Sequence, residues 1–365
     1  MKNIILFGGA FDPIHNGHIN MAKIASETLN ADVFFIPAKI SVWKNESIEP
    51  SHKLKMIELA IKECLNEERF HISTYEIDSS SDLNYSIDTV KYFSKKYGES
   101  SKLYFLIGTD QVNSFHKWKN VKEISDLVQL IYFSRPGLEL SEENIKEYKM
   151  VEIPGEVSEA NSTDIRNLKS VDVPDSVLKY IIDNNLYFVN KVKGYLSEKR
   201  YIHSLSVAWL SYDIAKANNL NDSKKAFIAG LIHDIGKEMP MVEQTRIMEE
   251  CFKEYLSLPP IIYHQFIGAY LAERDFDIKD PVILDAIKYH TTANSNMSDV
   301  AIIVHCADKI EPTRGFDSTE LINALKCSVI NGFKEVLKSN VDYYKKRNID
   351  YKNKLQMACL NQYLK

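Results

Sequence analysis

The spacing of hydrophobic and polar positions changes character part-way along the chain. Up to about residue 188, short runs rich in β-branched and aromatic residues predict strands at Ile4–Phe7, Val33–Ile36, Arg69–Ile77, Leu103–Ile107 and Val128–Phe133. Between them, apolar positions recur at helical spacing over Gly17–Leu29, Ser51–Leu65, Tyr85–Tyr97 and Val121–Asp126, and Val173–Asn185 reads as a closing helix opened by Pro174 and Asp175. Strands that alternate with helices form parallel βαβ units, so a doubly wound α/β, Rossmann-like sheet is expected. From Leu196 the strand signal fades. Helices are predicted over Arg200–Asn218, Ser223–Ile235, Met241–Tyr255, Pro260–Arg274, Pro281–Tyr289, Asp299–Lys309 and Ser318–Ser339. The second half should be all-α. The boundary is placed near Phe188–Tyr195, where Asn, Lys and Gly cluster without periodicity, which gives domains 1–188 and 189–365.

Length agrees with this division, because 365 residues exceed the roughly 250–300 at which a single core stops growing. The formal charge of -5 leaves no basic footprint, so a nucleic-acid polymer is not an expected partner, whereas a small phosphorylated ligand is. The five cysteines are odd in number and form no CxxC, which argues against a disulfide framework and a thiolate zinc site. No run approaches the ~18 apolar residues of a membrane span, and the first apolar run is too short for a signal segment. A soluble, cytoplasmic protein without a membrane partner is expected.

The first candidate site follows the first strand, in Gly8-Gly9-Ala10-Phe11-Asp12-Pro13-Ile14-His15-Asn16-Gly17-His18. Two glycines after a strand let backbone approach a phosphate. His15 and His18 lie three apart at a helix start, so both can face one ligand, and a helix N-terminus already favours anions. The pattern suits a nucleoside triphosphate; the GxGxxG of dinucleotide sites is absent. Further on, Asn161-Ser162-Thr163-Asp164-Ile165-Arg166 opens a short helix that Ser162 or Thr163 could cap, with Arg166 one turn onward as part of a second phosphate cradle.

The second candidate site is dispersed through the helical half: His203, His233-Asp234 within Leu231–Lys237, His264, His290 and Asp308. Imidazole and carboxylate suit borderline first-row metals. An adjacent His-Asp pair ending an apolar helix is costly to bury unless it binds something. Gly236 is expected to end that helix as a C-cap. Lys237, four after His233, can aim at a phosphate on the same site. Any single histidine here reads as an ordinary half-buried one; six ligand-type residues including a His-Asp doublet point to metal.

These motifs carry two resemblances. GGAFDPIHNGH with the distant NSTDIR resembles the bacterial nicotinate mononucleotide adenylyltransferases of the HxGH nucleotidyltransferase superfamily, over nearly all of residues 1–188. Asn84–Thr89, Ile107–Asp110 with Lys117-Trp118, and Arg135-Pro136-Gly137 match as well. The resemblance implies adenylyl transfer from ATP, with Mg²⁺, to nicotinate mononucleotide; the amidated mononucleotide is the rival acceptor. It implies that Gly8, Gly9, Phe11, His15, His18, Ser162, Thr163 and Arg166 hold ATP. Lys44 resembles a mobile-loop lysine, Trp118 the aromatic on the nicotinate ring, Ser86 the hydroxyl beside its carboxylate, and Asp110 a ribose or nucleotide ligand. The sequence departs from the family at Ala10, Ser86 and Asn161, and around Ile40–Asn45, where the usual Pro-His is missing.

The pattern H…HD…H…H…D resembles the HD phosphohydrolases. Arg200–His203, Ala229–Asp234, Gly268–Leu271, Tyr289–Thr292 and Ala307–Arg314 resemble the bacterial members that cleave diadenosine tetraphosphate symmetrically to two ADP. By that resemblance His203, His233, Asp234 and Asp308 hold one metal, His264 and His290 hold a second with Asp234 bridging, iron is the metal, and Lys237 and Arg314 clamp phosphate. Departures lie at the residues flanking His264 and at Lys309. Two alternatives stand for this half: another nucleotide phosphohydrolase, or a nucleotide-sensing module that regulates without turnover.

Overall fold

The computed structural model of the protein describes residues 2–39, 48–80, 84–134, 137 and 139–364. The chain divides into two compact units, Met1–Arg166 with Asp172–Leu186, and Asn167–Val171 with Tyr187–Lys365. No helix among the described residues is long and apolar enough to cross a membrane.

The first unit is built on a parallel sheet of β1 (Lys2–Gly9), β2 (Ala31–Pro37), β3 (Phe70–Ile72), β4 (Ser101–Ile107), β5 (Gln129–Tyr132) and β6 (Val151–Glu152). Their order is β3-β2-β1-β4-β5-β6. Ile4, Ile5 and Leu6 of the central strand are buried, as in a parallel sheet covered on both faces. The chain winds outward from β1 through the helix Asn16–Leu29 to β2, and later returns through Ser86–Tyr97 to β4 on the other side. The carboxyl ends of β1 and β4, neighbours in the sheet, therefore make the crevice where open α/β sheets take ligands.

The expected strand Arg69–Ile77 is shorter than its residues suggest. After Ile72 the chain turns, with Thr74 Oγ1 donating to Asp78 Oδ2 at 2.6 Å and the Asp78 N–H to the Thr74 carbonyl at 2.8 Å. A local Thr–Asp turn outcompetes the ladder there. β6, with two residues, is too short to show a period.

The second unit is helical, with no strand among its described residues. Its site-bearing helices are Glu198–Ala217, Ser223–Ile232, His264–Phe276, Pro281–Tyr289 and Asp299–Ile310. The single helix expected over Ser318–Ser339 is two, Thr319–Cys327 and Val329–Arg347. Ser328 stands between them in extended conformation, and its hydroxyl accepts from the Asn331 N–H, capping the second. The segment expected as an aperiodic boundary contains a helix, Phe188–Lys193, that buries Phe188, Val189 and Val192. One and a half turns are too few to show a repeat. A last helix, Lys354–Tyr363, was not anticipated, although Asn353 caps it through the Leu355 and Gln356 N–H groups.

Candidate active sites

At the end of β1 the chain turns through Phe11, whose backbone lies at φ +44°. The Phe11 ring is buried, edge-on to Phe7 at 5.4 Å, Phe35 at 5.6 Å and His18 at 4.9 Å. Its ring is thus part of the packing beneath the loop. His15 is the N-cap of the helix Asn16–Leu29: its backbone is extended, and its Nδ1 accepts from the His18 N–H at 3.3 Å. The His15 and His18 rings stack with centroids 3.6 Å apart. Gly17 makes this possible, because a Cβ there would stand 3.0 Å from His15 Nδ1 and 3.2 Å from the Ser158 carbonyl.

The segment at 161–166, distant in sequence, is fastened to this loop. Ser162 Oγ donates to the Pro13 carbonyl at 3.0 Å, and Arg166 donates to the Asp12 carbonyl at 2.6 Å and to Thr163 Oγ1 at 3.0 Å. The helix Ser162–Arg166 is capped by Asn161, where the sequence points to Ser162 or Thr163. Asn161 Oδ1 accepts from the Asp164 N–H at 2.9 Å, which leaves the Ser162 hydroxyl for the loop. Asn16 adds a further tie, its side chain donating to Asp172 Oδ1 at 2.7 Å.

After β4, Thr109 is buried and donates to the Phe133 carbonyl at 2.9 Å, while Asp110 at the helix start is exposed. Trp118 is half-buried against Phe115 and Phe105, with centroids at 5.2 and 6.1 Å. Ser86 begins the helix Ser86–Tyr97. Lys119 Nζ lies 4.0 Å over the Tyr85 ring, so the Tyr85-Ser86 and Trp118-Lys119 segments are neighbours. Lys44, Arg135 and Pro136 lie outside the described residues.

In the second unit the ligand-type residues converge from five helices. His203 comes from Glu198–Ala217, and His233-Asp234 from the turn after Ser223–Ile232. His264 begins its helix, His290 follows Pro281–Tyr289, and Asp308 lies near the end of Asp299–Ile310. Gly236 does not act as a left-handed cap: its φ is not positive, and the helix ends before His233. Its role is close approach. A Cβ at Gly236 would stand 2.7 Å from the His264 carbonyl and 2.8 Å from the Gly268 N, and a Cβ at Gly268 would stand 2.9 Å from the His233 carbonyl. Two glycines let the His-Asp turn lie on the backbone that carries His264.

All four imidazoles are oriented alike. His233, His264 and His290 each bond through Nδ1 to the carbonyl three residues earlier, Gly230, Ile261 and Ile287, at 2.7, 2.9 and 2.7 Å. His203 Nδ1 bonds Glu311 Oε1 at 2.8 Å. These partners set the tautomer, with the proton on Nδ1 and the Nε2 lone pair directed inward. His233 Nε2 is buried with no hydrogen-bond partner among the described residues. Asp234 is shared: Oδ1 lies 3.6 Å from His264 Nε2 and 3.5 Å from His290 Nε2, while Oδ2 lies 3.7 Å from His233 Nε2. Asp308 Oδ1 lies 3.1 Å from His203 Nε2 and 3.6 Å from His233 Nε2. Three overlapping groups, His203/His233/Asp234, His233/His290/Asp308 and Asp234/His264/His290, hold their donor atoms within 4.8 Å. The inward lone pairs, the two carboxylates and the His233 nitrogen, which faces both carboxylates without a hydrogen bond, fit divalent metal, and a set without thiolate admits iron, manganese, cobalt or zinc.

Protonation agrees with this chemistry. Burial, with His290 and Lys237 nearby, holds His264 well below the usual histidine range, and burial also lowers His290. Burial opposes ionisation of Asp234, but His233 and His290 outweigh it; burial likewise opposes Asp308, but Lys309, His203 and His233 outweigh it, and both carboxylates lie well below their ordinary values. Neutral imidazoles and ionised carboxylates are the forms that bind metal. His233 departs: burial disfavours its charge, yet Asp234 and Asp308 raise it.

The cleft over these residues has a volume of about 550 Å³, and Lys237 and Arg314 line it. Arg200, Thr291, Lys309 and Glu311 line it too, although sequence reasoning had assigned them no role. Arg200 lies three residues before His203 on one helix, a spacing that puts both on one face, whereas Glu311 follows the helix that carries Asp308 in extended backbone and no helical spacing marks it.

The comparisons with known proteins divide the chain in the same way. A cytidylyltransferase-like family model matches residues 6–168 and an HD domain model matches residues 200–313. A Mycoplasma genitalium protein named "Probable nicotinate-nucleotide adenylyltransferase/Ap4A hydrolase" is 32% identical over 352 residues, covering 92% of this chain and 97% of its own. A Clostridium botulinum protein named "Probable nicotinate-nucleotide adenylyltransferase" is 38% identical over 209 residues, covering 51% of this chain and 100% of its own. Among solved structures, a Plasmodium falciparum nicotinic acid mononucleotide adenylyltransferase complexed with NaAD is 20% identical, with a TM-score of 0.46, covering 52% of this chain and 100% of that one.

Proposed function

We propose that this chain, which belongs to the family of two-domain nicotinate-nucleotide adenylyltransferase/Ap4A hydrolase proteins, is a bifunctional enzyme with one reaction in each unit. The first unit transfers the adenylyl group of ATP to nicotinate mononucleotide, releasing pyrophosphate and forming the deamido precursor of NAD. The second hydrolyses diadenosine tetraphosphate symmetrically to two ADP.

The observation that carries the first reading is the fastening of the Ser162–Arg166 segment onto the His15–His18 loop. It gathers imidazoles, a guanidinium and a helix N-terminus at the carboxyl end of β1, where a triphosphate can lie. The 5′-phosphate of the mononucleotide attacks the α-phosphorus in line, and the pyrophosphate departs from the opposite side. Such a transfer needs positioning and charge stabilisation, and no covalent nucleophile. His15, His18, Lys44 and Arg166 neutralise the leaving group, with Mg²⁺ arriving on the ATP. Gly8, Gly9, Phe11, Ser162 and Thr163 shape the ATP site, the buried Phe11 ring acting from beneath. Trp118 and Ser86 meet the nicotinate, and Asp110 a ribose. Turnover of the acid over the amide acceptor tests the assignment. A preference for the amide would overturn it.

The observation that carries the second reading is Asp234, whose two oxygens face two different sets of imidazoles. His203, His233, Asp234 and Asp308 would hold one ion, His264 and His290 a second, with Asp234 between, and the resemblance favours iron. Divalent ions in such a site lower the pKa of water and take charge from a phosphate. Glu311 and the three backbone carbonyls hold the imidazoles in the binding tautomer. Lys237 and Arg314, both on the cleft, clamp the polyphosphate. Chromatography of the products tests the cleavage position: ADP alone is expected, and AMP with ATP would refute symmetrical attack.

A further inference from the structure

Five basic side chains line the cleft with the candidate metal ligands, Lys199 among them, and the other four are each bonded to one of those ligands. Lys237 Nζ lies 2.9 Å from His264 Nε2, Lys309 Nζ 2.8 Å from Asp308 Oδ2, Arg314 Nη2 2.6 Å from Asp308 Oδ1, and Arg200 Nη1 2.6 Å from Asp234 Oδ2. Arg200 is anchored in a second way. Its Nε donates to Glu238 Oε1 at 3.3 Å, and Glu238 is itself held by the Ser197 N–H and hydroxyl at 2.6 and 2.7 Å. Glu238 would keep the guanidinium at the cleft whether or not Asp234 holds it.

The oxygen that Arg200 engages is the one facing His233, so it is claimed both by the guanidinium and by any ion that His233 helps to bind. A lone pair given to a guanidinium is a weaker metal ligand, and a positive charge at this range repels a divalent ion. A phosphate offers Arg200 the better partner, because the planar fork of donors matches two phosphate oxygens. The Arg200 side chain is 29% exposed on the cleft, within reach of an incoming anion.

We propose that Arg200 is a phosphate-binding residue of the hydrolase cleft, and that its passage from Asp234 to the phosphate couples anion binding to metal binding. The idea rests on the reading of the cleft as a metal site. Its ligand class is the phosphoanhydride chain of a nucleotide, or inorganic phosphate as a fragment of it. Coupling of this kind is reciprocal: phosphate tightens the metal by the factor by which metal tightens phosphate.

The test uses the full chain, stripped with chelator and titrated with Mn²⁺ with and without inorganic phosphate, as wild type, Arg200→Gln and Arg200→Lys. Wild type should bind two Mn²⁺ per chain, with phosphate tightening them about tenfold. Arg200→Gln, which removes the competing charge, should bind Mn²⁺ about threefold tighter without phosphate and lose at least about a threefold share of the phosphate effect. Arg200→Lys, which keeps the charge without the fork, should bind Mn²⁺ like wild type and show a reduced phosphate effect. An unaltered phosphate effect in Arg200→Gln, or Mn²⁺ binding no tighter than wild type, would overturn the proposal. Should Arg200→Gln fail to fold, an unaltered phosphate effect in Arg200→Lys would overturn it alone. Wild type binding no Mn²⁺ would instead remove the metal reading itself, with the proposal resting on it.

Discussion

The two candidate sites are assembled by opposite strategies. In the first unit most of the candidate phosphate site lies on one loop, 8–18, shaped by a cap from His15 to His18, a stacked ring pair and a glycine that makes room for the stack, and one distant segment, Ser162–Arg166, is fastened onto it. In the second unit no two ligand-type residues except His233 and Asp234 are adjacent, and five helices must pack correctly before a site exists. The first site takes its charge from the partly exposed His18 and Arg166 beside the buried His15, the second from carboxylates and imidazoles that, His203 apart, are buried and are stable there because they answer one another. A loop site tolerates change in the core beneath it. A convergent site inherits every packing error of its helices.

The sharpest way to break this contrast is to destroy each chemistry separately. Asp234→Ala should lower hydrolysis by about 10³-fold or more, since it removes the shared ligand, and leave adenylyl transfer near wild type. His18→Ala should lower transfer by about 10²-fold or more and leave hydrolysis intact. Parallel assays of both products on both variants decide whether the reactions are independent; loss of both activities in either variant would refute independence. Metal analysis of Asp234→Ala, expected to be empty at both positions, separates a shared ligand from a single-ion one.

Next in size is a packing change. Gly236→Ala should cost the second unit about 1–3 kcal/mol, because the added Cβ meets backbone of His264 and Gly268, which cannot swing aside. Metal content should fall with it. Urea unfolding followed by bound metal would show this, and a fully metallated, wild-type-stable variant would refute the close-approach argument. The corresponding change in the first unit, Gly17→Ala, should act through activity more than stability, since the atoms it meets first are the His15 ring.

Trp118→Ala should weaken the acceptor about tenfold, a typical value for one lost ring stack, with little change in the KM for ATP. Equal losses for both substrates would mark Trp118 as packing alone.

The smallest expected effect is on pH. Burial pushes His305 down to about 3, its Nδ1 bonded to the His290 carbonyl at 2.8 Å. The unfolded chain would protonate this residue near pH 6.5. The folded chain therefore binds fewer protons between that value and about 3, and stability falls as pH drops through this window. His264 and His290, also held low by burial, add in the same direction, while His233, held up by Asp234 and Asp308, partly opposes them. Thermal unfolding of chelator-treated protein at pH 7.5 and 5.5 should show the second unit melting lower at 5.5, and an unchanged midpoint would contradict the neutral assignments.

Much of this was legible from residues alone. The strands of the central sheet and the long helices announce themselves by period, and the HxxH loop by a motif that is also a structural unit. The His-Asp doublet stood out because buried charge needs a partner. What escaped notice was either short or non-local. Phe188–Lys193 and β6 are too brief to repeat, and Ser328 divides a continuous apolar pattern by a cap that resembles any other serine. Gly236 shows the deeper limit. Its position after an apolar helix read as a left-handed cap, whereas the tertiary structure uses it for contact with backbone 28 to 32 residues further on, at His264 and Gly268.

By itself the sequence determined that a parallel α/β unit precedes a helical one, and which residue types could carry chemistry in each, because period, turn residues and ligand chemistry are properties of the chain. Only the tertiary structure decided that Asn161, not Ser162, caps its helix, that every candidate imidazole presents Nε2, that Asp234 divides its oxygens between two groups, and that Arg200 bonds one of them. The last two are distances between residues far apart in sequence. The first two use bonds to residues three positions away, but distant partners such as Pro13 for Ser162 and Glu311 for His203 help to decide which bond forms, and no local pattern encodes those partners until the helices and the sheet have packed.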